Sequence, residues 1–210
     1  MSLKYFVAVI LLYLNEGFLI DHDAPRKVVK VLTAGNGGHW GEWHPPNYCA
    51  EGAYAVGFNL KIESYQQGLD DTALNAILVK CETLDGSHYA GYVESGEGQW
   101  GSWIGEKQCQ NVNESRLFLS TFSLQVEPNQ HGLDDTAANW ARFKCRQFAH
   151  EVDFDLDIPP GHGKFGSYGG WSESCPLNSA ICGMQSRIEG AQAGGDDTAL
   201  NDVKFFCCSE

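Results

Sequence analysis

The sequence predicts an all-β fold of three four-stranded antiparallel sheets related by pseudo-threefold symmetry. An octet, Gly-x-Asp-Asp-Thr-Ala-x-Asn, occurs at residues 68–75, 132–139 and 194–201, and its period of about 63 residues suits one sheet per copy. Apolar and polar residues alternate on both sides of each octet, which is the period of a half-buried strand. No run has a convincing helical period, and scattered glycines would interrupt one.

Further marks keep the same spacing in every copy, so the alignment of the repeats does not rest on the octet alone. A cysteine follows each octet and an aliphatic residue with a Glu precedes it; these positions are Cys81, Cys145 and Cys207, and Glu63, Glu127 and Glu189. We expect a single domain over residues 25–210, with repeats at about 27–85, 88–148 and 155–208.

Each repeat is predicted to contain about four strands. Copy one opens with a β-branched strand at 27–33 and a glycine turn before the Trp-Gly-Glu-Trp sequence at 40–43. Copy two opens the same way at 92–103, and copy three does so in degenerate form at 165–171. Three such sheets that wrap their apolar faces around one axis form a prism. A trefoil and a three-bladed propeller are alternatives, but trefoil copies are shorter and a three-bladed propeller leaves its centre poorly filled.

The first 20 residues are predicted to be a secretory signal peptide, cleaved somewhere between residues 15 and 25. Lys4 supplies the positive start, and the apolar run at 5–14 is too short to span a bilayer. An uncleaved anchor and a buried strand are the alternatives. The net charge of −13 argues against nucleic acid and anionic membrane as partners.

Eight cysteines in a secreted chain indicate a disulfide framework. If each copy closes on itself, the bridges are Cys49–Cys81, Cys109–Cys145 and Cys175–Cys207, which leaves Cys182 for Cys208. Zinc is the alternative, but the chain has no Cys-x-x-Cys and its histidines are scattered. We therefore expect neither a metal nor a cofactor.

The octets, the Trp-Gly-x-Trp sequences, the eight cysteines and the leader together resemble the vitelline membrane outer layer protein 1 family. The resemblance covers roughly residues 28–208. It implies a type I β-prism with Greek-key-like sheets, secretion, and in egg-laying animals a place in the outer coat of the egg. It also implies carbohydrate chemistry, since transfer activity towards N-acetylglucosamine oligosaccharides has been attributed to the family without an established set of catalytic residues.

Two sets of carboxylates are candidates for function. The octets carry Asp pairs that either hold turns or bind calcium or sugar; these residues are Asp70, Asp71, Asp134, Asp135, Asp196 and Asp197. Glu63, Glu127 and Glu189 either cap turns or, if the protein acts on glycosidic bonds, supply a catalytic carboxylate. Equal copies favour the structural role in both sets, because acid and base catalysis needs two unlike environments.

The tryptophans either fill the prism centre or stack on sugars. Because Trp40, Trp43, Trp100, Trp103 and Trp171 recur at one point of the repeat, we expect them in the core. Trp140 has no counterpart in the other copies, so we expect it to be exposed and available for binding. Asn113-Glu114-Ser115 is an N-glycosylation sequon in a predicted loop.

These observations favour a secreted structural or interaction protein of an extracellular coat or mucosal fluid, with glycans or coat proteins as partners. Two alternatives remain at this stage. One is an enzyme that transfers or hydrolyses N-acetylglucosamine units, and the other is a calcium-dependent lectin.

Overall fold

Fourteen β-strands account for the regular structure of the residues described by a computed structural model, which are 26–66, 72–129, 136–156, 163–191 and 198–210. The strands are β1 (Val28–Thr33), β2 (Glu42–Trp43), β3 (Asn47–Tyr48), β4 (Ala53–Ile62), β5 (Leu74–Thr83), β6 (Tyr89–Val93), β7 (Ser102–Trp103), β8 (Lys107–Gln108), β9 (Leu117–Val126), β10 (Ala138–Gln147), β11 (Asp153–Leu156), β12 (Ser167–Tyr168), β13 (Ser179–Ile188) and β14 (Leu200–Ser209).

The strands form three antiparallel sheets. Sheet I has the order β6-β5-β4-β7, sheet II the order β11-β10-β9-β12, and sheet III the order β1-β14-β13-β2. The short strands β8 and β3 extend sheets I and III. In sheets I and II the fourth strand returns to lie beside the first, which is a Greek key. The all-β, three-sheet prism predicted from the repeat is confirmed.

Sheet III contains strands from both ends of the described chain. Its central hairpin is β13–β14, whereas β1 and β2 come from the start of the chain and pair with β14 and β13. Likewise, β7 of copy two pairs with β4 of copy one. Each sheet therefore takes its central hairpin from one copy and its flanking short strand from the next, so the three copies interlock in a ring.

Phenylalanines from the long hairpins occupy the centre of the prism. The ring centroids of Phe58 and Phe143 are 4.5 Å apart, those of Phe122 and Phe205 are 4.8 Å apart, and those of Phe143 and Phe205 are 5.2 Å apart. Strands of all three sheets contribute to this contact, and the four rings are fully buried. Removal of these apolar rings from water is the main driving force for joining the three sheets.

The expectation that the recurrent tryptophans fill the centre is wrong. Trp40, Trp100 and Trp103 are 45%, 47% and 38% exposed, and Trp43 and Trp171 are partly exposed. All five lie in the short segments that flank the central hairpins. Trp43 carries the Lys204 ammonium 4.0 Å from its ring centroid, a cation–π contact typical of partly exposed rings.

Four disulfides close the structure: Cys49–Cys81, Cys109–Cys145, Cys175–Cys207 and Cys182–Cys208. They are the pairs of the repeat-based scheme, and no cysteine is left to bind zinc. The first three each join two sheets. Cys49, for example, donates its backbone N–H to Cys182 of sheet III, while its sulfur is bonded to Cys81 of sheet I. The fourth lies within the β13–β14 hairpin.

The sheet-joining cysteines are positioned by a β-bulge that recurs in each long hairpin. The strand register skips Val56, Ser120 and Cys182 at equivalent places. A bulged residue is left out of the ladder, and here its carbonyl accepts the N–H of Cys109, Cys175 or Cys49, at 2.7–2.9 Å. The bulge therefore sets where the neighbouring copy attaches.

No helix among the described residues is long and apolar enough to cross a membrane. The predicted signal peptide lies outside the described residues.

The glycine of each Trp-Gly-x-Trp-like sequence lies against the end of a long strand. Gly101 has φ +82°, and a Cβ there would lie 2.4 Å from the carbonyl carbon of Ile62. Gly41 and Gly166 have the same conformation and the same overlap with Ile188 and Val126. Only glycine combines a positive φ with so close an approach of two backbones.

Substitution of glycines in this protein should destabilise the fold by an amount set by two effects, the positive φ and the steric overlap of the added Cβ. We expect Gly101→Ala to lower the free energy of unfolding by more than about 2 kcal/mol, because it adds steric overlap to a strained φ. Gly52 also has a positive φ but has open space around its Cβ position, so Gly52→Ala should cost about 1 kcal/mol. Gly170→Ala, with neither constraint, is the matched control and should be neutral. Denaturant unfolding of the three variants measures the order, and equal costs would contradict the packing argument.

Candidate functional site

The last half of each octet forms a hydrogen-bonded clamp with the preceding Glu. The Glu63 carboxylate accepts hydrogen bonds from the Thr72 N–H (3.0 Å) and hydroxyl (2.6 Å), and the Asn75 amide donates to the same hydroxyl (2.6 Å). The clamp recurs as Glu127–Thr136–Asn139 and Glu189–Thr198–Asn201. We call each set the Glu–Thr–Asn clamp.

The residue between Thr and the outgoing strand makes the sharp turn. Ala73, Ala137 and Ala199 have φ values of +51°, +46° and +47°, in the left-handed region that non-glycine residues seldom adopt. Their carbonyls each accept the backbone N–H of the clamp Glu at 2.8 Å. The clamp therefore holds a strained turn in register across the hairpin.

The clamp asparagine also holds the next copy of the repeat. Asn75, Asn139 and Asn201 are skipped in the strand register at the start of β5, β10 and β14. Their side-chain carbonyls accept the backbone N–H groups of Trp100, Phe165 and Trp40, at 3.1–3.3 Å. Each Asn is thus bonded to its own turn and to the segment of the following copy that contains the exposed aromatic residue.

These contacts give the three candidate glutamates a structural role. Each carboxylate is bonded to the Thr of its own clamp, and the three line three different clefts. The structure therefore does not bring Glu63, Glu127 and Glu189 together into one site. The six octet Asp residues lie outside the described residues. Among the described residues, no group of three His, Cys, Asp or Glu side chains is placed to hold a metal ion.

Three pseudo-equivalent clefts lie beside the clamps, each between the residues after one clamp Glu and the aromatic segment of another copy. The Tyr65–Phe165 cleft has a volume of about 410 Å³ and also contains Trp140 and Lys164. The Trp40 cleft, beside Glu127, has about 200 Å³, and the Trp100 cleft, beside Glu189, about 140 Å³. An aromatic ring beside a polar clamp, repeated three times, is a surface on which sugar rings can stack.

Trp140 is buried, with 3% of its surface exposed, so the expectation that it is exposed is wrong. It follows the bulged Asn139 on β10 and packs into the main core. It nevertheless lines the Tyr65–Phe165 cleft, and its Nε1 has no hydrogen-bond partner in the part of the chain that the structure describes. The sequence reasoning missed Tyr65, Lys164 and Phe165. Their signal was the loss of symmetry at the position of Tyr65, which is Asn129 and Ala191 in the other copies.

A further cavity, of about 750 Å³, lies at the other end of the β4–β5 hairpin. It includes the turn in which the Thr83 and Ser87 hydroxyls and the Ser87 N–H donate to Asp85. These hydrogen bonds lower the pKa of Asp85 to about 2, and the one from the Thr83 hydroxyl has the largest effect. The Ser87 hydroxyl also lies 2.6 Å from His88 Nδ1. In a catalytic triad the carboxylate accepts a hydrogen bond from the histidine, whereas here the Asp85 carboxylate accepts from the serine. The arrangement is therefore that of a turn and not of a nucleophile with its base.

Comparison with known proteins agrees with this architecture. The sequence matches the family Vitelline membrane outer layer protein I (VOMI) over residues 30–210. It is 39% identical over 190 residues to the vitelline membrane outer layer protein 1 homolog of Mus musculus, covering 90% of this chain and 87% of the relative. With the Homo sapiens homolog it shares 39% identity over 192 residues, covering 89% and 86%.

The chain belongs to the vitelline membrane outer layer protein I family. Among solved structures, this family member is similar to a mannose-specific jacalin-related lectin from Morus nigra in complex with mannose, with a TM-score of 0.49 and 15% identity over 88% of this chain and 96% of that chain. Artocarpin complexed with Me-alpha-mannose gives a TM-score of 0.44 and 14% identity over 88% and 99%. Similarity at this level carries no argument about sugar binding.

Removal of one clamp hydroxyl should destabilise this family member. Thr136→Val keeps the shape of the side chain but removes one acceptor of the Asn139 amide and one of the donors to Glu127. The Ala137 carbonyl and the backbone N–H of residue 136 remain as their partners. We expect the free energy of unfolding to fall by about 1–3 kcal/mol, because the buried Asn139 amide and the partly buried Glu127 carboxylate each lose a hydrogen bond. Thr33→Val, on an exposed position of β1, is the control. Equal unfolding midpoints for the two variants would show that the clamp contributes nothing to stability.

Proposed function

We propose that the protein is secreted and acts in an extracellular coat or mucosal fluid by binding glycan or protein partners. The observation that carries the proposal is the threefold set of clefts, each with an aromatic ring beside a polar clamp. Trp40 and Trp100 are nearly half exposed, so their indole rings are accessible for stacking against a ligand. Family membership and four disulfides support an extracellular setting.

Binding is a better proposal than catalysis for this arrangement. The three clamp glutamates have the same bonding partners, whereas glycoside chemistry needs one carboxyl that stays protonated beside another that stays charged. Repeated equal clefts instead increase the strength of attachment to a repetitive ligand through multivalency. Glycans and coat proteins are both repetitive ligands of this kind.

Secretion is tested by expression of the full chain in cultured secretory cells. We expect the protein in the medium to begin between residues 15 and 25. Asn113 is exposed and has φ +48° in the turn closed by Val112 and Ser115, so we propose that it carries an N-glycan. Treatment with a peptide amidase that removes N-glycans should then lower the mass of the protein, and Ser115→Ala should abolish the change. Retention of the protein in the cell with an intact leader would contradict the proposed secretion.

Glycan binding is tested with the secreted protein on an array of immobilised oligosaccharides. We expect binding that falls at least tenfold in a Trp40→Ala/Trp100→Ala/Phe165→Ala variant, because sugar–aromatic stacking is lost in all three clefts. Trp103→Ala, which removes an exposed indole outside the clefts, is the matched control and should bind normally.

Two further measurements decide between the alternatives. Loss of binding with a calcium chelator would point to the octet aspartates. New chain lengths after incubation with N-acetylglucosamine oligomers, followed by mass spectrometry, would establish an enzyme. If the array shows no ligand, the glycan part of the proposal is wrong and a protein partner should be sought by cross-linking in the native coat or fluid.

A further inference from the structure

The Tyr65–Phe165 cleft is the place where the threefold symmetry of this protein breaks down most clearly. Residues with a purely structural role are repeated in all three copies, as in the Glu–Thr–Asn clamps. Here, by contrast, Tyr65 replaces Asn129 and Ala191, and Trp140 replaces Ala76 and Asp202. The other two copies carry smaller side chains at both positions, so the repeat does not specify these aromatic residues, and we attribute their presence in one cleft to binding.

The aromatic walls of this cleft are packed against each other. The rings of Tyr65 and Phe165 meet edge to face, with centroids 5.3 Å apart, and the Lys164 ammonium lies 3.0 Å from the centroid of the Tyr65 ring. Tyr65 and Lys164 are exposed and Phe165 is partly exposed. A volume of about 410 Å³ lies in the range of small-ligand sites and exceeds that of either pseudo-equivalent cleft.

Two donors of the cleft have no acceptor among the described residues. The Trp140 indole Nε1 is buried without a hydrogen-bond partner there, and leaving a buried donor unpaired is unfavourable. The Lys164 ammonium is not within salt-bridge distance of any carboxylate of the described residues; its contacts are with the Tyr65 and Phe165 rings. A ligand that brings an oxygen acceptor would satisfy what the protein itself leaves unpaired.

We propose that the Tyr65–Phe165 cleft is a sugar subsite that recognises a planar substituent with a carbonyl-type oxygen, either an N-acetyl amide or a carboxylate. The sugar ring stacks on Phe165 and Tyr65, and the substituent oxygen accepts hydrogen bonds from Trp140 Nε1 and Lys164 Nζ. Because Nε1 is covered in the free protein, a side chain of the cleft wall moves aside as the substituent enters. This inference rests on the proposed glycan binding and adds the site, its unequal use among the three clefts, and the group that is read.

Nuclear magnetic resonance of the six tryptophan indole N–H groups tests the proposal directly. Trp140→Phe removes one signal and so assigns it, and the five remaining signals report whether the variant is folded. The probes are the methyl glycosides of glucose, N-acetylglucosamine and glucuronic acid, which share ring stereochemistry and differ in the substituent. We expect one or both substituted sugars to shift the Trp140 signal, with a dissociation constant at least fivefold lower than that for glucose, as one hydrogen bond implies. Comparison of the two substituted sugars separates the amide from the carboxylate.

Two variants complete the test. Phe165→Ala, at a partly exposed position, should weaken binding of the preferred sugar about tenfold by removing the stacking surface. Trp103→Phe, at an exposed position outside the three clefts, should leave the Trp140 titration unchanged. Equal affinity for all three glycosides, or shifts confined to the Trp40 and Trp100 signals, would overturn the proposal.

The array of the previous subsection separates this proposal from the more general one. A preference on the array for N-acetylated or carboxylated sugars that is unchanged in both Trp140→Phe and Phe165→Ala would refute the subsite while leaving glycan binding intact. Absence of glycan binding by the unmodified protein would instead refute the proposed function, and the subsite with it.

Discussion

Three buried asparagines hold this prism together. Asn75, Asn139 and Asn201 each donate to the Thr of their own octet and accept from the backbone of another copy. A side-chain amide suits this position because it offers donors and an acceptor on one planar group. Each amide lies at a bulge, where the strand register already opens, so its bonds replace ladder bonds that the bulge removes. The turn, the strand register and the docking of the neighbouring copy therefore depend on one residue per repeat.

At the opposite end of the hairpins a bulge again joins two copies, but through a backbone carbonyl instead of a side-chain amide. There the bulged residues Val56, Ser120 and Cys182 offer backbone carbonyls, and the N–H of a cysteine from another copy occupies each of them. The disulfide of that cysteine then crosses to the next sheet. Because the copies exchange short strands, no single copy is a closed unit, and the apolar faces of all three meet in one phenylalanine centre. The ring also joins the first strand of the described chain to the last, which ties down segments that would otherwise fray.

The surface follows from this interlocking. A segment that crosses to another sheet presents its aromatic residue at the junction between two copies, so clefts form where the clamps are. Equal copies produce equal clefts, and the differences between them come from residues that the copies do not share. Tyr65, Trp140 and Lys164 are such residues, whereas the clamp glutamates recur in every copy. A carboxylate bonded to two donors of its own turn is part of the scaffold, and this removes the glutamates from the groups free to act on a ligand.

The sequence by itself determined the repeat, the all-β class, the three sheets and the cysteine pairs, because these depend on local periodicity and on the spacing of identical marks. Only the tertiary structure decided how the copies interlock, since a leading segment such as 98–103 carries no local sign of which hairpin it pairs with. It also decided the positions of the tryptophans. Repetition showed that Trp40 and Trp100 have equivalent surroundings but not whether those surroundings are core or surface, because the phenylalanines of the long strands already fill the axis. For Trp140 the sequence showed only that it has no counterpart in the other copies. Its burial depended on the packing of β10 into the core and on the segment 163–165, which is bonded to the bulged Asn139.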